Sequence, residues 1–224
     1  MSVSDNYKTI KSSIPEGVEL IVVSKTQPIE KIMEVYNAGG KIFGENKVQE
    51  LLSKQPHLPK DIEWHLIGHL QTNKVKYIAP FVSLIHSIDS LKLLKEVNAQ
   101  ALKNNRIIKC LLQIYIANEE TKFGLAFKEA ENIIKSDELK ELKNITIVGL
   151  MGMATNTDDE QQIAKEFMSL KQFFDSLKKF PSHNINLTNL SMGMSSDYLI
   201  AIKNGSNLIR VGSSVFGKRI TSVS

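Results

Sequence analysis

The sequence predicts an α/β protein built as a single (β/α)8 TIM-type barrel, and three observations carry that prediction. Eight short apolar runs recur along the 224 residues, most are separated by stretches where apolar residues return every three or four positions, and the runs show little polar alternation. Strands buried on both faces and alternating with helices imply a parallel sheet, because each crossover lays a helix against it. Eight repeats in this length suit a closed barrel. A doubly wound open sheet alternates in the same way and is the competing architecture.

The first run, 18–24, ends at Lys25, and Pro28 starts the next element. A helix is expected over 29–37, with Gly39-Gly40 as its terminator before the run at 42–43. Runs at 64–67 and 84–85 follow, then a helix over 90–104 that leads into the run at 107–116. Helical stretches at 127–136 and 159–179 precede the runs at 145–150 and 185–190, and Gly205 ends a helix before the last run at 208–211. The short stretch before Val18 leaves an initial helix unassigned. No linker or composition break divides the chain, so residues 1–224 read as one domain.

Composition excludes several function classes. The chain is 42% hydrophobic and 23% charged, and its net charge of +4 comes from 28 basic and 24 acidic residues dispersed along its length. With no long basic block and no aromatic–basic platform, the charges read as solvated surface and no nucleic-acid partner is expected. The single cysteine, Cys110, lies in an apolar run, which points to a buried structural thiol and a reducing compartment. Residues 1–8 lack the apolar core of a signal peptide and no later segment has the length of a membrane span, so a cytoplasmic location is expected.

In either α/β architecture, ligand chemistry gathers where strands end. Lys25 closes the first run, where partial desolvation would make its neutral, nucleophilic amine accessible for Schiff-base chemistry. A snorkelling surface lysine is the plainer account of that residue alone. The two last strand ends, 191–196 and 210–214, combine glycine with serine in the manner of a phosphate cradle. Ordinary turn chemistry explains each loop singly. Barrel closure would bring the last strand beside the first, placing Arg210 and the Gly212-Ser213-Ser214 turn near Lys25. That grouping suggests a ligand with a phosphate, an aldehyde and a ring acceptor.

His65 and His69 are four residues apart, but His65 lies in a strand-like run and no HExxH pattern or cysteine cluster accompanies them, so no metal site is expected. They and His86 read as satisfied core or rim histidines. Met151, Met153, Met192 and Met194 read as apolar pocket lining.

Several ordered motifs then coincide: Ser24-Lys25-Thr26; Gly44-Glu45-Asn46 followed by Val48-Gln49-Glu50; the stretch 63–74; Leu190-Ser191-Met192-Gly193-Met194-Ser195; and Arg210-Val211-Gly212-Ser213. Together they make the chain resemble the pyridoxal phosphate homeostasis proteins, from about Val18 to Arg219. The resemblance implies the barrel of the alanine racemase amino-terminal domain without that enzyme's second domain. It implies pyridoxal 5'-phosphate as cofactor, held by Lys25 as an internal aldimine, with Arg210 facing the pyridine nitrogen and Asn46 near the ring. Ser191, Gly212 and Ser213 map onto phosphate-binding positions; Ser213 stands where many relatives have threonine and keeps the hydroxyl. The implied function is to carry or buffer the cofactor and maintain intracellular vitamin B6 and amino-acid homeostasis with little or no catalytic turnover. Transient contact with apoenzymes, no membrane partner and a monomeric state complete the expectation. A weak amino-acid racemase, or a Schiff-base lyase using Lys25, is the alternative.

Overall fold

The computed structural model describes residues 2–119 and 121–217, in which the eight runs form eight parallel strands closed into a barrel in the order β1 to β8. The strands are β1 (Glu19–Val23), β2 (Ile42–Glu45), β3 (Glu63–Leu66), β4 (Leu84–Ile88), β5 (Ile108–Tyr115), β6 (Ile145–Met153), β7 (Ile185–Ser191) and β8 (Leu208–Val211). Closure is made where Glu19 to Val22 of β1 pair in register with Leu208 to Val211 of β8. The open-sheet alternative is thereby excluded.

The helices are α1 (Val3–Ser13), α2 (Ile29–Asn37), α3 (Val48–Lys54), α4 (Val75–Ile78), α5 (Leu91–Lys103), α6 (Phe127–Lys135), α7 (Asp137–Lys140), α8 (Glu160–Leu177), α9 (Tyr198–Lys203) and α10 (Ser213–Phe216). The four long periodic stretches of the sequence correspond to α2, α5, α6 and α8. Helix α1, unassigned from sequence, is set by a reciprocal cap in which Ser2 Oγ accepts from Asp5 N–H while Asp5 Oδ2 accepts from Ser2 N–H, both at 3.1 Å. It buries Tyr7 and Ile10, and Asn6 Nδ2 donates to the Val215 carbonyl at 3.0 Å, tying the helix to α10.

Two apolar layers result. The larger lies between strands and helices and includes Ile32, Phe43, Leu51, Trp64, Leu94 and Phe167. The smaller gathers Ile21, Leu84, Leu111, Val148, Met151 and Leu208 from five strands, two of them remote from the other three around the wall, so these side chains fill the barrel interior.

Strand β6 runs three residues beyond the run at 145–150, because Gly152 and Met153 continue the ladder with Ile114 and Tyr115 of β5. Glycine also sets the approach of β6 to β7: a Cβ at Gly149 would lie 1.7 Å from the Asn189 carbonyl oxygen. Gly39 and Gly205 have φ of +101° and +90°, the left-handed conformation expected of residues just past helix ends. Cys110 is fully buried, and desolvation raises its thiol pKa.

Candidate functional site

A cavity of about 610 Å³ opens where the strands end, and Lys25, Asn46, Arg210, Gly212 and Ser213 all line it. Val23, Ile67, Met153 and Met194 supply its apolar surface, and Ser195, Ser196 and Ser214 add hydroxyls. Its lining holds two cationic side chain types, lysine and arginine, and no carboxylate. The field inside therefore favours an anion. Gly68 is part of the wall, and a Cβ there would come within 2.3 Å of the Asn46 carbonyl oxygen.

The chain on either side of Lys25 is held by groups of β2 and α3. Lys54 of α3, nearly buried, donates from Nζ to the Ser24 carbonyl at 2.9 Å, to Glu45 Oε1 at 2.8 Å and to Glu50 Oε1 at 2.6 Å. Ser24 Oγ donates to Glu45 Oε1 at 2.7 Å, and Thr26 N–H donates to Glu50 Oε1 at 2.5 Å. Both peptide neighbours of Lys25 are thus fixed, and Thr26 is held at φ +64°, a conformation unfavourable for a β-branched residue. Burial raises the Glu45 pKa, against the pull of Lys54 and Ser24.

Arg210 is buried on the opposite side. Its Nη1 donates to Ser191 Oγ at 2.6 Å and its Nη2 to the Gly152 carbonyl at 3.1 Å. Burial lowers its pKa to about 10, with buried Asp197 opposing the shift, so it stays cationic at neutral pH. Asp197 in turn accepts from Met194 N–H at 2.6 Å, bracing the turn after β7.

That turn meets the one after β8. Ser195 Oγ accepts from Gly212 N–H at 3.3 Å and from Ser214 N–H at 3.4 Å, so two backbone donors converge on one hydroxyl at the cavity wall. Gly193 has φ +91°, and a Cβ there would lie 2.7 Å from that of Ala201. Backbone N–H groups, serine hydroxyls, a lysine and an arginine around an apolar slot form a donor set that fits a phosphorylated aromatic aldehyde. The far wall is His69, whose ring meets Phe123 edge-on at 5.4 Å between centroids and whose Nδ1 lies 3.4 Å from Asp89 Oδ2.

Five of the six residues singled out from sequence therefore share one cavity. Ser191 does not line it: β7 ends on this residue with its side chain buried below Arg210, where the hydroxyl also lies 3.1 Å from His86 Nδ1. Ser195, Ser196 and Ser214 occupy the wall instead. The sequence had shown Ser195 and Ser214 within the two serine-glycine turns, but which serine faces the cavity depends on the strand's last residue. Among the methionines, Met153 and Met194 line the cavity while Met151 and Met192 are core. Lys54, Glu45 and Glu50 were missed as a group: Glu45 and Glu50 appear in the ordered motifs, but nothing in the sequence joined them to Lys54. Among the described residues no set of three His, Cys, Asp or Glu side chains gathers as a metal site.

Comparisons with known proteins bear on the fold and the family. The family described as alanine racemase, N-terminal domain, matches residues 2–219, of which Arg219, where the motif resemblance ends, lies outside the described residues. The pyridoxal phosphate homeostasis protein of Aquifex aeolicus is 41% identical over 203 residues, covering 90% of this chain and 87% of that protein. PipY of Synechococcus elongatus, solved without PLP, is 34% identical, with a TM-score of 0.90 over 96% of this chain and 100% of that one. Its structure with PLP bound gives a TM-score of 0.87. An alanine racemase of Clostridium difficile 630 shares the barrel at a TM-score of 0.78 and 13% identity, with 58% of its length covered.

Proposed function

The chain belongs to the pyridoxal phosphate homeostasis proteins, within the family of the alanine racemase N-terminal domain, and we propose that it holds pyridoxal 5'-phosphate in the cavity at the strand ends. It carries or buffers the cofactor with little or no turnover, as a monomeric cytoplasmic protein of one domain, and passes it to apoenzymes by transient contact. The observation that supports this reading best is the joint presence of Lys25, Arg210 and the Gly212–Ser214 turn around one carboxylate-free cavity.

When bound, the cofactor supplies an aldehyde that combines reversibly with a primary amine and a pyridine ring that can draw electrons. Lys25 provides the amine, and the anchored Ser24 and Thr26 fix its origin. Arg210 presents N–H donors to the ring acceptor. A guanidinium that keeps its proton leaves the ring nitrogen unprotonated, which weakens electron withdrawal and restrains carbanion chemistry. Gly212 and Ser213, with Ser195 and Ser214, offer backbone and hydroxyl donors to the phosphate. Asn46 and the apolar wall enclose the ring.

One observation favours a second reading, a weak amino-acid racemase: His69 lines the cavity and is the kind of side chain that serves as an acid or base, with Asp89 behind it at 3.4 Å from its Nδ1. Absorption and intact mass, recorded before and after borohydride and followed by peptide mapping, test the principal reading. A pyridoxyl adduct on Lys25 is expected. Its absence after incubation with excess pyridoxal phosphate would refute cofactor binding. Deuterium exchange at the α-carbon of alanine that is lost in Lys25→Ala would instead favour the racemase.

A further inference from the structure

Between the cavity and the middle of the barrel runs a line of four buried side chains drawn from four strands. Arg210 Nη1 donates to Ser191 Oγ at 2.6 Å, Ser191 Oγ lies 3.1 Å from His86 Nδ1, and His86 Nε2 lies 3.1 Å from His65 Nδ1. We infer that these contacts form one hydrogen-bond chain with a single direction, from Arg210 through Ser191 and His86 to His65, and that its three far members are positioning residues for the Arg210 guanidinium. The functional side of this inference rests on the reading of Arg210 as the group that faces the cofactor ring.

The direction follows from donor chemistry. A guanidinium has donors only, so Ser191 Oγ accepts from it. The hydroxyl proton is then directed to His86 Nδ1, which accepts. A neutral His86 carries its own proton on Nε2 and donates to His65 Nδ1, so His65 is also the Nε2-protonated tautomer. In the reverse direction Ser191 would accept twice, and its hydroxyl hydrogen would lack an acceptor inside the barrel. An imidazolium at His86 has the same defect and would stand buried beside a guanidinium. Desolvation acts against protonation of both rings; Lys109 adds to it at His65, and His65 and Arg210 add to it at His86.

Two consequences follow for the site. The guanidinium is pinned at two nitrogens, by Ser191 and by the Gly152 carbonyl, which fixes its plane. Ser191, with its hydroxyl engaged at both ends, serves Arg210 rather than the phosphate. The chain is also a positive-to-neutral arrangement: it lets a buried arginine keep a hydrogen-bond partner without a carboxylate in direct contact, and so preserves the anion-favouring field of the cavity.

Long-range ¹⁵N–¹H spectra of the histidine rings, recorded near neutral pH on labelled protein without added cofactor, test the chain directly. His65 and His86 are expected as neutral Nε2-protonated tautomers, with the pattern of His86 altered by Ser191→Ala and restored by Ser191→Thr. In protein loaded with cofactor, Ser191→Ala is expected to shift the absorption maximum while the preference for pyridoxal phosphate over pyridoxal stays within about twofold. An Nδ1-protonated or doubly protonated ring at either histidine would overturn the inference. So would a Ser191→Ala protein with unchanged His86 and a phosphate preference reduced by about tenfold or more. A wild-type protein that takes up no cofactor would refute the proposed function, whereas the ring spectra decide the chain's direction independently.

Discussion

Acidification is expected to destabilise this protein from near-neutral pH downwards, because two histidines are buried in the neutral form. The His65 pKa is lowered from 6.5 to about 3, and that of His86 lies well below the ordinary value, in both cases chiefly by desolvation. A group with a depressed folded-state pKa contributes stability that is fully present above the unfolded-state pKa and is lost as pH falls towards the folded one. The affected window therefore opens near pH 6.5 and extends down to about pH 3 for His65. From about pH 7.5 to about pH 5 each histidine that stays neutral in the fold costs roughly 2 kcal/mol, and the pair about 4 kcal/mol. Asp197 and Glu45 act in the opposite sense: burial raises their pKa values, so in the fold they take up protons above the range of the unfolded carboxylates and offset part of the loss. Urea unfolding followed by circular dichroism across the window measures the slope, to which the two histidines contribute about 2.7 kcal/mol per pH unit at its lower end. His86→Gln should halve that contribution. Stability that stays flat over the interval, or a slope unchanged in both His86→Gln and His65→Gln, would refute the reasoning.

Lys54→Met leaves the buried Glu45 carboxylate without its cation and is expected to cost about 3–5 kcal/mol in urea unfolding, with partial recovery when Glu45→Gln is added. No recovery in the double variant would mean that the pair is not coupled. Gly149→Ala forces a methyl group against the Asn189 carbonyl and should lower stability by about 3 kcal/mol or more; a protein of unchanged melting temperature would show that the two strands can part. Ser195→Ala combined with Ser213→Ala should reduce affinity for pyridoxal phosphate more than for pyridoxal, measured by equilibrium dialysis, and an equal loss for both would remove the phosphate assignment. Lys25→Ala should abolish the borohydride-trapped adduct yet retain weaker, phosphate-dependent binding, whereas an adduct that persists at full stoichiometry would place the amine elsewhere.

Most strands were legible because a parallel barrel buries both faces, so they appear in the sequence as short apolar runs, whereas β7 alternates apolar and polar residues and is partly exposed. The strand ends were less legible. Residues 151–153 look like a loop by composition, but Gly152 allows β6 to remain paired with β5 through Met153. Short helices such as α4, α7 and α10 are four residues long, less than two turns, and leave no periodicity to detect. For the site, Lys25 and Arg210 were readable because closure of the barrel makes its first and last strands neighbours. Ser191 differs from the other five residues by parity and depth: as the last residue of β7 it is buried and does not line the cavity, whereas serines of the next turn reach the wall. The histidines were read as satisfied core or rim residues, and His65 and His86 are core while His69 lines the cavity at the rim. Their alignment with Arg210 could not be read, because it joins residues 19 to 105 positions apart in sequence.

The clamp around Lys25 bears on how such barrels exchange parts. Consecutive β/α units are often treated as interchangeable cassettes, each carrying its own contribution to the rim. Here the amine belongs to the first cassette, whereas the groups that hold its backbone, Glu45, Glu50 and Lys54, belong to the second. A chimaera cut between β1 and β2 would inherit the lysine and lose its mounting. The smallest portable unit that keeps this lysine mounted is consequently the stretch from Glu19 to Lys54, transferred whole.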